Sequence, residues 1–254
     1  MISELKKLLT WQNALATFLP LILMPLMGLF IVTRQASFTD YYQLFFQVTS
    51  NTPAFAFPFI FTAMYAAKMN NERKNSYLAY VHIRIDLKTY YRAKIKVAAL
   101  VGLLAGFLFV AIPALFTLYI APRTGLISIN PISGPAPAIE YFKSIIELGP
   151  LKFTLLYSLW IGINGAAYSA FAQLIVIKVK HTVLALFGTT IFYLSLELLT
   201  RLVAPLRIYS PMHTLFPFGT TVSIPNWALL VPLALVITIS TIIGSRILNK
   251  PVEV

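Results

Sequence analysis

Long apolar stretches separated by short polar ones dominate the chain, with uncharged runs over residues 8–33, 41–67, 97–122, 153–177 and 208–245. A sixth run, 182–200, is interrupted only by Glu197. The hydrocarbon core of a bilayer takes about 20 apolar residues per helix. The pattern therefore predicts spans near residues 14–32, 50–67, 97–120, 154–177, 182–202 and 227–246. The expected fold class is all-α: a polytopic membrane protein with six transmembrane helices, forming a single domain over residues 1–254. Composition agrees, since 58% hydrophobic and 11% charged residues with a mean hydropathy of +0.79 leave too little polar surface for an ordinary soluble domain.

Charge orients these spans. Residues 68–96 carry eight of the twenty Lys and Arg residues and only two acids, Glu72 and Asp86. With six spans both termini share a side, and fourteen of the twenty cations then fall on the side of this connection and six on the other. Basic loops stay in the cytoplasm, so both termini are expected there. The formal charge of +12 thereby becomes a topological signal, helped by attraction to anionic membrane lipids and requiring no nucleic acid.

Ahead of the first span, Ile2, Leu5, Leu8 and Leu9 share one helical face and Glu4, Lys6 and Lys7 lie mostly on the other. This predicts an interfacial helix over residues 1–12. The first apolar run reads as a retained helix, not a signal peptide. Pro20 and Pro25 fall in the first span and Pro53 and Pro58 in the second, where each frees a backbone carbonyl that neighbours must satisfy. Gly162, Ala166 and Ala170, with Gly165 and Ser169 beside them, form a small-residue packing face on the fourth. Residues 201–226 are apolar but broken by four prolines, so they are expected not to span.

Little in the chain points to its own chemistry. No Gly-Lys dipeptide occurs, so a Walker-type phosphate loop is absent. There is no cysteine, and His82, His181 and His213 lack metal-site spacing, so no metal site is expected. Glu197 and Arg201 stand at i and i+4, close enough to pair on one helical face. Charge inside a membrane points to function by default, whereas a position near the helix end permits a purely interfacial role. Asn164, Gln173, Thr189, Thr190 and Ser195, with Glu197, line either a polar translocation pathway or a set of interhelical hydrogen bonds.

The connection reads NERKNSYLAYVHIRIDLKTYYRAKIK from residue 71 to 96. It resembles the cytoplasmic connection between the second and third helices of ABC-2 type transporter permeases. Glu72 and Arg73 match the acidic exit of helix two, and Tyr90, Tyr91 and Lys94 match the aromatic and lysine entry to helix three. Ser76 and Tyr77 stand where that family usually has Gly-Thr, and the proline of the middle turn is missing. In size and helix number the chain looks most like the permeases of lantibiotic-immunity and peptide-export systems.

The resemblance implies a cytoplasmic coupling helix within 68–96 that docks on a separate ATP-binding-cassette ATPase subunit. Leu78, Val81, Ile83 and Ile85 would make the contact, with Glu72, Arg73, Arg84, Asp86 and Lys88 at its rim. It also implies a second permease subunit, identical or related, in a bacterial plasma membrane, with ATP and magnesium held by the partner ATPase and no cofactor in this chain. The cargo would be amphipathic or hydrophobic: an antimicrobial peptide, lipid or drug. Two other functions fit the same sequence. One is a membrane-embedded enzyme acting on lipid or peptide through Glu197, Arg201 and His213, and the other an ATP-independent peptide-binding immunity protein.

Overall fold

The structure is a computed structural model that describes residues 19, 23, 26–30, 38, 40–50, 52–62, 69, 72, 83, 85–125, 127, 146–179, 181–217 and 224–249. Their regular structure is helical, with no strand among the described residues. In chain order the helices are α1 (Tyr41–Ser50), α2 (Thr52–Phe61), α3 (Leu87–Ala114), α4 (Ala121–Thr124), α5 (Pro150–Lys178), α6 (Thr182–Leu202), α7 (Pro211–Leu215) and α8 (Leu230–Asn249). A π-helical stretch, Leu115–Ile120, joins α3 to α4. Short 3-10 helices at Ala204–Tyr209 and Asn226–Leu229 precede α7 and α8.

Four helical stretches among the described residues are long and apolar enough to cross a membrane: Leu87–Thr124, Pro150–Lys178, Val183–Leu202 and Asn226–Asn249. Their outward faces are apolar. On α6, Phe187, Ile191, Leu194 and Leu198 form an exposed stripe at three- and four-residue steps, and on α5 Leu151, Leu155, Leu159 and Ile163 do the same. Exposed apolar stripes of this length suit hydrocarbon, not water.

The expected spans near 154–177, 182–202 and 227–246 are present with small shifts of boundary. The third begins ten residues before its expected start at 97, because a cation-rich segment scores as polar even where it is helical. Of the first expected span, 14–32, residues 26–30 are helical and most of the rest lies outside the described residues, as does the interfacial helix expected over 1–12. Of the second, 50–67, residues 52–61 form α2 and most of the remainder lies outside the described residues. α1 ends at Ser50 and α2 starts at Thr52, with Pro53 in its first turn, where a missing amide hydrogen is tolerated. Residues 201–217 are divided among short turns, as their prolines predict.

α5 is the central helix: 67% of its most apolar window is buried, against 28% for α6 and 22% for α8. It packs on α2, α3, α6 and α8. Its start is well specified, because Gly149 adopts a φ of 92°, open to glycine, and Pro150 then supplies a helical φ. The closest packing is the crossing of α3 and α5, where Gly102 lies against Gly165 and Gly106 against Ile161 and Gly162. A β-carbon added at Gly106 would come within 2.6 Å of the Ile161 carbonyl oxygen. Gly162, Gly165 and Ser169 of the small-residue face therefore pack within the chain, against α3 around Gly102 and Gly106.

The carbonyl that Pro58 leaves without its helical donor is satisfied from a neighbouring helix. Pro58 cannot donate to the carbonyl of Ala54, and the Tyr193 hydroxyl on α6 donates to that oxygen at 3.3 Å. The Tyr157 hydroxyl likewise donates to Leu215 O at 2.9 Å, tying α7 to α5. Around these contacts Phe45, Phe57, Phe61, Phe109, Phe153 and Phe216 fill the core, largely edge to face.

Candidate functional site

Two ion-paired carboxylates, one partly buried and one buried, stand at opposite ends of the bundle. α5 runs toward Lys178 and α6 runs back from Thr182, so the start of α3, the end of α5, the start of α6 and the end of α8 share one end. This basic end holds Glu72, while Glu197 sits near the far terminus of α6.

At the basic end, periodicity places a lysine inside the protein. Leu87, Tyr90, Tyr91, Lys94, Val97 and Ala98 make up the buried face of the first turns of α3. The Lys94 side chain is 1% exposed and that of Glu72 13%, and their charged groups meet at 2.7 Å. Lys94 also donates to the other carboxylate oxygen at 2.9 Å, and the Tyr90 hydroxyl donates to Glu72 at 2.6 Å. The lysine ammonium lies 5.3 Å from the centre of the Tyr90 ring. Met69, Leu174, Ile177, Ala185 and Ile247 close the apolar surroundings. An isolated charge here is costly, and the pair with its added hydrogen bond offsets that cost.

This clasp joins one end of the basic connection to the other. Between them, Ile83 is 83% exposed and Ile85 51%. Asp86 immediately precedes α3 without a side-chain capping bond, and Lys88 lies in the first turn of α3, part of a helix and not of a loop. Arg73, Leu78, Val81 and Arg84 lie outside the described residues.

At the far end, Glu197 is 4% exposed. Arg201 donates to it from Nε at 2.7 Å, as the i, i+4 spacing predicts. The Ser210 hydroxyl donates to the second oxygen at 2.6 Å and the Met212 amide at 3.0 Å. Ser210 in turn caps α7 by accepting from the His213 amide. The carboxylate thus pins residues 210–213 to α6. Burial holds the His213 imidazole below its usual range, opposed by Glu197 and by the Arg207 backbone.

The polar residues expected along a pathway divide between faces. Asn164, Gln173 and Thr189 are buried, whereas Ser195 is exposed on the outer face of α6. Asn164 donates to Trp160 O within its own helix at 3.0 Å. Both amide atoms of Gln173 and the hydroxyls of Thr189 and Thr190 are buried without a hydrogen-bond partner among the described residues. Of the two carboxylate sites, the sequence marks Lys94 only as the lysine entering helix three and not as the partner of Glu72, and it does not mark Ser210 or the Met212 amide. Extending the 3.6-residue period back from Val97 would have found Lys94; nothing local marks the other two. The chain has no match among protein-family models, curated proteins or solved structures.

Proposed function

We propose that the chain is the transmembrane permease subunit of an ATP-binding-cassette transporter, exporting an amphipathic or hydrophobic substrate with energy from a separate ATPase subunit. The observation that carries this reading is the Glu72–Lys94–Tyr90 clasp. It ties the start of the basic connection to α3 by an ion pair whose lysine is buried, so a push on the connection reaches the helical stretch Leu87–Thr124, the longest among the described residues. Ile83 and Ile85 supply exposed apolar contacts on that connection, as docking on a soluble partner requires.

In this reading both termini and the basic end face the cytoplasm of a bacterial cell. Two permease subunits flank the pathway, and two ATPases bind below them with ATP and magnesium. Nucleotide-driven closure of the ATPases biases the bundle between inward- and outward-facing states. The test is co-purification with the ATPase encoded beside this chain. Ile83→Asp with Ile85→Asp is expected to abolish association while the permease still folds. Retention of both association and substrate-stimulated ATP hydrolysis in that variant would overturn the assignment.

A further inference from the structure

A groove of about 510 Å³ opens on the side of the bundle between α3, α5 and α8, toward the basic end. Its volume lies in the range of about 300–1,000 Å³ typical of small-molecule sites. Leu174, Ile237 and Leu248 wall it, and Ala170 and Gly244 keep its floor low. From Ile237 to Leu248 it follows about 16 Å of α8 at roughly 1.5 Å per residue. That is the depth of one leaflet of a core about 30 Å thick.

Arg92 and Lys96 stand at the mouth, one turn apart on α3 and both exposed. Neither makes an ion pair among the described residues, and the nearby carboxylate of Glu72 is engaged by Lys94. No acid lines the groove among the described residues. Ser240 lines it as well, with its hydroxyl buried beside the groove and without a hydrogen-bond partner among the described residues. An apolar channel of leaflet depth with two cations at its headgroup end matches one kind of molecule.

We propose that this groove binds a single anionic phospholipid, its phosphate held by Arg92 and Lys96 and an acyl chain along α8. Basic pockets between helices at the inner leaflet recognise such headgroups. A second copy of the chain fits less well. A two-fold interface lays a patch on its own duplicate, and four cations would then meet without a counter-charge.

The experiment uses the detergent-solubilised, delipidated full chain, with lipid binding read by native mass spectrometry. The probes are phosphatidylglycerol and phosphatidylcholine of matched chains, with glycerol 3-phosphate as a headgroup-only competitor. At low salt, phosphatidylglycerol is expected to bind about 30-fold more tightly than phosphatidylcholine, two basic residues each acting at close range. Arg92→Gln with Lys96→Gln is expected to remove most of that preference, and Gly244→Leu to weaken both lipids. A β-carbon at Gly244 meets only Leu174, at 3.7 Å, so the larger side chain enters the groove and not the core. Should Gly244→Leu fail to fold, Thr241→Phe blocks the same channel from an exposed position of α8. Equal binding of the two lipids, a preference that survives loss of both cations, or competition by glycerol 3-phosphate alone would each overturn the proposal. So would a blocking variant that retains its lipid but loses a dimer, since the groove's occupant would then be a second copy.

Discussion

At the scale of single residues, each buried charge is tied to one segment it must hold. Glu72→Gln leaves the Lys94 ammonium without its counter-charge in an apolar setting, and a loss of about 3–5 kcal/mol is expected, read by thermal unfolding in detergent. Combining it with Lys94→Met should recover much of that loss, because the requirement is compensation and not charge itself. His213 makes a different prediction. Its imidazole is held below the ordinary histidine range by burial, so the folded state resists protonation that the unfolded chain accepts. Stability is therefore full above about pH 6.5, the ordinary value, and falls as pH drops through it toward the lowered folded value. Unfolding temperatures measured from pH 7.5 to 5 should decline, and His213→Gln should flatten the decline. An unchanged slope in that variant would remove His213 as the cause.

At the scale of elements, contacts between backbones decide more than side-chain size. Gly106→Ala drives a methyl group into the Ile161 carbonyl, and destabilisation of about 1–3 kcal/mol is expected. Gly244→Ala meets only ordinary contact and should be neutral or stabilising by up to about 1 kcal/mol through helix propensity. Tyr193→Phe strips the donor from the Ala54 carbonyl, costing about 1–3 kcal/mol. In a Pro58→Ala background that cost should largely vanish, because an alanine at that position restores the amide the carbonyl lacks. Much of this level was legible in sequence: the apolar runs located α5, α6 and α8, and i, i+4 spacing found Glu197 with Arg201. The start of α3 was not, because hydropathy counts Lys88, Arg92, Lys94 and Lys96 against a helix whose buried face nevertheless continues through them. Contacts such as Glu72 with Lys94, or Glu197 with Ser210, join segments whose approach depends on the fold, and no local period encodes them.

At the scale of the whole molecule, orientation is the property on which the proposed function depends. The chain has no cysteine, so a single introduced thiol reports its side of the membrane without background. Ile83→Cys is expected to react with an impermeant maleimide only from the cytoplasmic face, and Arg207→Cys only from outside; both are exposed. Labelling of the two from the same face would overturn the orientation. The glycine crossing of α3 and α5 has a mechanical meaning here. With backbone against backbone at the glycines and little side chain between them to act as a bearing, the two helices form one stiff strut, about 42 Å along α3 at roughly 1.5 Å per residue. Torque applied at its basic foot cannot be absorbed by sliding at the crossing. It must emerge at the far head, where the widened turns of Leu115–Ile120 make the compliant joint.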